Sequence, residues 1–151
     1  MKKLLFFILP ALLCACNNNE PDSKQVLQEI ISPIDCISSK GWSWNNGVAT
    51  ASYAYYPEDK DKNVMTFNAA ATGELTFAYE GYSGWVAVQI DNNEVFKESF
   101  YTSQSKKFSL YVSKGQKIAI MGSDCTIQDI RIVGQADNTQ PDTPDNPTWD
   151  F

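Results

Sequence analysis

The chain has 151 residues, 43% of them apolar and 20% charged, with a formal net charge of −6 and no histidine. One domain of ordinary globular composition is the prior at that length. The missing histidine excludes Ser-His-Asp and Cys-His catalysis and removes the commonest zinc ligand, and the lack of clustered Lys and Arg argues against nucleic acid as a partner.

The N-terminus reads as an address. Lys2 and Lys3 form a short basic region, and Leu4 to Leu13 is apolar. Such a stretch falls within the roughly 7–15 residues of a secretory signal and short of the roughly 20 that span a bilayer. Pro10 interrupts it, which speaks against a core helix. The run Leu13-Cys14-Ala15-Cys16 resembles the lipobox of bacterial lipoproteins, with Leu13 three residues before Cys16 and the small Ala15 directly before it. Cys14 does not fit, because Leu13 would then hold the small-residue position. The resemblance implies removal of residues 1–15, lipidation of Cys16 by several acyl chains, and an outer-membrane protein at the periplasmic face or the cell surface. One chain holds a protein on a bilayer only marginally, while two or more hold it firmly.

Residues 16–22 are then the lipidated cysteine and a flexible tether, since Asn17 to Asp22 offer nothing to bury. Glu20 and Asp22 resemble the acidic surface-export signal of some Gram-negative lipoproteins; a plain solvated spacer is the other reading. Cleavage removes two bases and no acids, leaving ten bases against 18 acids, a formal −8. Setting aside Cys14 and Cys16 leaves Cys36 and Cys125. An oxidising compartment would join them, stapling the two ends of the domain. The alternative is two buried free thiols, which behave as small hydrophobes.

Residues 23–134 carry the folded domain. Ser23 to Ile31 (SKQVLQEII) reads as a short helix or a first strand. Alternation then takes over. Gly47–Tyr56 (GVATASYAYY) would place Ala49, Ala51, Tyr53 and Tyr55 on one face. Val64–Ala70 follows, and then Glu74–Glu80 (ELTFAYE), with Leu75, Phe77 and Tyr79 inward. Trp85–Ile90 (WVAVQI) meets Asp91-Asn92-Asn93-Glu94, which suits a tight hairpin needing positive φ. Phe108–Val112, a turn at Lys114-Gly115, Lys117–Met121 and Cys125–Val133 complete the set, with a bulge expected at Gln128-Asp129, where the apolar spacing slips by one. About eight short strands punctuated by turns predict an all-β, antiparallel sandwich or jelly roll. The segments GELTFAYEGYSGW, IDNNEVF, KKFSLYVSKGQKIAI and CTIQDIRI resemble the jelly-roll, galactose-binding-like modules of cell-surface and carbohydrate-binding proteins. That resemblance implies a fold and a setting rather than a set of functional residues.

The tail, residues 135–151, is rich in Pro and Asp and is expected to be disordered. Trp149 and Phe151 in it would serve, if anything, as a short recognition peptide.

Aromatic residues supply the candidate site. Trp42 and Trp44 lie two apart beside Asn45 and Asn46, so rings and amides together would suit a sugar; core packing is the competing reading for both. Tyr55 and Tyr56 are neighbours, so one of them faces outward on a regular strand. Tyr82 and Trp85 flank Ser83-Gly84. Asp59, Asp61 and Asn63 match the opening of a calcium loop, but Val64 stands where Gly is required and Ala70 where a bidentate Glu is required, so no metal is expected. Glu80, Glu98 and Asp91 show no spacing that would bring two carboxylates together, so neither catalysis nor a cofactor is expected. The sequence therefore predicts an anchored, non-catalytic module that binds glycan. A protein-binding module, either an adhesion or assembly subunit or an inhibitor of a secreted protease, is the alternative.

Overall fold

The computed structural model describes residues 25–135. The signal-like segment, Cys16, the tether and the tail beyond residue 135 lie outside the described residues. Nine strands follow in order: β1 Gln25–Ile30, β2 Ser38–Lys40, β3 Trp42–Asn45, β4 Val48–Ala51, β5 Val64–Asn68, β6 Thr72–Ile90, β7 Asn93–Ser99, β8 Gln104–Val112 and β9 Lys117–Gln135. Every pairing between them is antiparallel. The N-terminal segment that offered a helix or a strand is a strand, because it pairs from Gln25↔Gln135 to Ile30↔Ile130 along β9.

Two 19-residue strands, β6 and β9, organise the sandwich. They pair with each other along most of their length and belong to both layers. In one layer the first half of β6 lies between β8 and the second half of β9, which is flanked in turn by β1 and β4. In the other layer the second half of β6 lies between β7 and the first half of β9, which is flanked by β5 and then β2. The layers meet where both strands bend. There the step from Gly81 to Trp85 on β6 is matched on β9 only by the step from Cys125 to Ser123.

The bend also changes which positions face inward. Leu75, Phe77 and Tyr79 are core residues before it, and Val86, Val88 and Ile90 after it. Odd positions give way to even ones because the unmatched residues shift the side-chain period of two. On β9 the same switch occurs at Asp124 and is reversed at Asp129, both at positive φ (46° and 56°). The expected bulge at Gln128-Asp129 is present, since Thr76↔Arg131 is followed by Ala78↔Gln128. Two tight hairpins close adjacent strands, at Asn46-Gly47 (φ 49° and 79°) and Asp91-Asn92 (φ 51° and 67°). Positive φ at both central residues is what a two-residue turn between twisted strands requires.

The run Gly47–Tyr56 is not one strand. β4 stops at Ala51, and the following loop lays Ala54 and Tyr56 over Trp85, Ala87 and Met121, the side of the second layer turned away from the core. The two halves read as separate strands at Glu74–Glu80 and Trp85–Ile90 are a single bent strand, as are Lys117–Met121 and Cys125–Val133.

Cys36 and Cys125 are free thiols, so the expected disulfide does not form. The first and last strands are neighbours, as that pairing needed. However, β1 ends at Ile30, Pro33 opens a 3-10 turn (Pro33–Asp35), and the chain leaves for the other layer. β4 takes the vacated edge, so Ala51 rather than Cys36 lies opposite Cys125. Burial pushes the Cys125 thiol up to about 12 and, with the Asp35 charge adding to it, the Cys36 thiol up to about 11.

Candidate functional site

The six aromatic residues singled out in the sequence divide into two groups. Trp42 and Trp85 are 7% and 5% exposed; Trp42 belongs to the core between the layers, and Trp85 to a second buried cluster with Ala54, Ala87 and Met121. Trp44 shares the inward face of β3 with Trp42, packs half-buried against the core, and donates its Nε1–H to Ser39 Oγ at 2.8 Å. Their spacing of two does put the tryptophans on one face, but that face is turned to the core. Tyr55 and Tyr82 stand in solvent, and Tyr56 lies between the groups as a clamp.

The clamp explains how the tyrosines are displayed. Ala54 is buried under the loop, its N–H donating to Ser123 Oγ at 2.8 Å and its carbonyl accepting from Trp85 Nε1 at 3.0 Å. With Ala54 fixed inward, its neighbours Tyr53 and Tyr55 are turned outward, their rings edge to face at 5.8 Å. Tyr56 packs against Trp85 (centroids 5.1 Å apart) and donates its hydroxyl to Glu94 at 2.8 Å, with Lys97 Nζ 3.4 Å above its ring. Asn63 secures the far end of the loop. It is fully buried, and its amide donates to the carbonyls of Ser52 (2.6 Å) and Gly122 (2.9 Å). Asn63 is therefore a structural tie and not a calcium-loop ligand.

Outside this clamp lies a cleft of about 360 Å³, whose rim carries Tyr53, Tyr55 and Tyr101 over a floor of Ala54, Trp85 and Ser123. A second, of about 490 Å³, adjoins it across the Tyr82–Ser83 and Ser123–Asp124 steps and holds Tyr82, Glu80 and Asp124. Tyr53, Tyr55, Tyr82 and Tyr101 are 54%, 62%, 69% and 85% exposed, so four large rings gather at one end of the sandwich at the bend of β6 and β9. Tyr101 is placed there because Phe100 is buried beside Gly81, and the Phe100 N–H donates to the Gly84 carbonyl at 2.8 Å. Loss of water around the hydroxyl, the Tyr55 hydroxyl beside it, and the charges of Asp124 and Asp59 all raise the Tyr53 pKa.

Sequence reading found Tyr55 and Tyr82 but did not select Tyr53, Tyr101 or Asp124. Tyr53 belongs to the aromatic cluster with Tyr55 and Tyr56 in the sequence but is not among the candidate site residues, and nothing local marks Tyr101. Of Glu80, Glu98 and Asp91, only Glu80 reaches these clefts, where it lines the wider one. Glu98 is tied to Lys106 and Tyr79, and Asp91 caps the Lys117 N–H at 2.9 Å. No group of three or more His, Cys, Asp or Glu side chains able to hold a metal ion occurs among the described residues.

No protein-family model matches the sequence, and neither does any curated protein. Solved structures similar to the chain include the family 51 carbohydrate-binding module (CBM51) from Clostridium perfringens GH95, in complex with methyl-galactose. It has a TM-score of 0.44 and 12% identity, covering 71% of this chain and 87% of that one. A second is a point mutant of the family 29 carbohydrate-binding module CBM29-2, with a TM-score of 0.45 and 12% identity, covering 71% of this chain and 91% of that one. Likenesses of this degree carry no argument about what the chain binds; the tyrosine clefts stand on their own geometry.

Proposed function

We propose that the protein is a non-catalytic glycan-binding module, held on the outer membrane by lipid on Cys16, whose binding site is the tyrosine-lined end of the sandwich. One observation carries the reading: four exposed tyrosines around two adjoining clefts. Exposed aromatic rings gathered in one place are uncommon on a soluble surface and mark a contact site. A tyrosine face covers the apolar C–H face of a pyranose while its hydroxyl bonds to water or sugar. The clefts are of a size to take one or two sugar units, and polar backbone and serine groups at their floor would fix orientation. The lipid anchor rests on the lipobox resemblance at Leu13–Cys16.

Isothermal titration against a polysaccharide panel tests the binding. The expected outcome is saturable binding that falls roughly ten- to thirtyfold in Tyr55→Ala and Tyr101→Ala, as for truncation of an aromatic anchor. Binding unchanged in both variants, or none across the panel, would remove the reading. Metabolic labelling with a fatty acid tests the anchor, which predicts incorporation that is lost in Cys16→Ser.

A second reading, a protein-binding module, draws on Ile31, Ile34 and Ile37, three exposed isoleucines on the connection between β1 and β2. It predicts a stoichiometric envelope-protein partner whose recovery depends on Ile34 and not on Tyr55.

A further inference from the structure

We infer that the tyrosine clefts select glycans by charge, taking neutral and amino sugars and rejecting acidic ones, and that Asp124 and Glu80 impose the choice. The inference rests on the glycan reading above and deepens it.

Glu80 and Asp124 both line the wider cleft beside Tyr82. Both are exposed, and neither forms a hydrogen bond or ion pair with another described residue. Their acceptor capacity is thus open to a ligand. No lysine or arginine lines either cleft. The bases near the display loop stand by the narrower cleft or on the loop itself: Lys62 donates an ammonium N–H to the Tyr53 carbonyl at 2.8 Å, Lys97 lies over the Tyr56 ring, and Lys60 is on the loop. Asp59 lies on the same loop and accepts the Tyr55 N–H at 3.4 Å. The field in the wider cleft, lined by two carboxylates and no base, is therefore negative, in a chain whose formal charge is already −6.

The placement of Asp124 follows from the fold. It sits at φ 46° where β9 bends, between Ser123, which is buried under Ala54, and Cys125, which is buried in the core. Both neighbours are fixed inward, so the carboxylate at this step is held at the cleft.

Hydroxyls of a neutral sugar donate to free carboxylates in charge-assisted hydrogen bonds. A protonated amino sugar adds Coulomb attraction, and the tyrosine faces attract its ammonium as well. In the wider cleft a uronic acid meets two carboxylates and no lining cation with which to pair, so that cleft discriminates by repulsion.

The test is titration of the purified protein at low ionic strength with neutral polysaccharides of mannose, galactose and glucose, with chitosan oligomers, and with polygalacturonate. The expected result is binding to neutral or amino glycans with polygalacturonate at least tenfold weaker. In an Asp124→Asn, Glu80→Gln double variant, the ratio of chitosan to polygalacturonate affinity should fall at least tenfold. Polygalacturonate bound as well as the neutral polymers, or an unchanged ratio in the double variant, overturns the charge selection while leaving the glycan reading in place. Binding to none of the polymers overturns both.

Discussion

At the scale of single residues, the fold depends on a few polar ties. Asn63 is the clearest. Its amide donates to the buried Gly122 carbonyl and the partly buried Ser52 carbonyl, and so fastens the loop that displays Tyr53 and Tyr55. Asn63→Ala leaves both acceptors unpaired and should lower stability by about 2–4 kcal/mol in urea denaturation. A second tie joins Tyr79, Glu98 and Lys106, where hydrogen bonds from Lys106 and then Tyr79 hold the Glu98 carboxyl below its usual range. The folded-state pKa is depressed, so this stabilisation is fully present above the ordinary carboxylate pKa. It is lost as the pH falls through the lower folded value. Glu98→Gln should therefore flatten the acid limb of a thermal-melting profile below the ordinary carboxylate pKa, and a limb unchanged in the variant would contradict the assignment. The two free thiols make a further residue-scale prediction. In native protein the buried Cys125 should resist alkylation while Cys36 reacts slowly, and both should react fully after unfolding without reductant, as mass spectrometry would read.

At the scale of elements, the bend shared by β6 and β9 decides where the site lies. Gly84 is required there, because a Cβ at this position would fall 1.8 Å from the Ser123 carbonyl oxygen. Gly84→Ala must push the two long strands apart and should cost at least about 2 kcal/mol, with loss of any ligand binding at the bend. The bend also marks the limit of sequence reading. The alternation of ELTFAYE and WVAVQI identified both halves of β6 and their inward faces, because each obeys the period of two locally. Nothing local said that the halves were one strand, since continuity depends on pairing with β9 some forty residues away. The slip at Gln128-Asp129 was legible because it disturbs the apolar pattern itself. The departure of the chain after Ala51 was not, because Ser52 to Tyr56 continues the alternation in letters while Ala54 turns inward in space. The Cys36–Cys125 pairing failed for a related reason: neighbouring strands were inferred correctly, but β4, rather than an extension of β1, occupies the edge beside Cys125.

At the scale of the whole molecule, one core between two antiparallel layers leaves the β6–β9 bend as the place where loops gather, and tyrosines gather there too. Tyr111 is 71% exposed yet lies on β8 opposite Glu74, away from the bend. It is an internal control for any aromatic that is exposed without being part of the site. The most direct measurement is therefore an NMR titration of protein with isotope-labelled tyrosine rings, using the glycan that binds best in the panel. Glycan bound at the bend should produce saturable shifts of the Tyr53, Tyr55, Tyr82 and Tyr101 ring signals, with Tyr111 unmoved. Shifts centred on Tyr111, or none in the four rings under conditions where a glycan is bound, would contradict it.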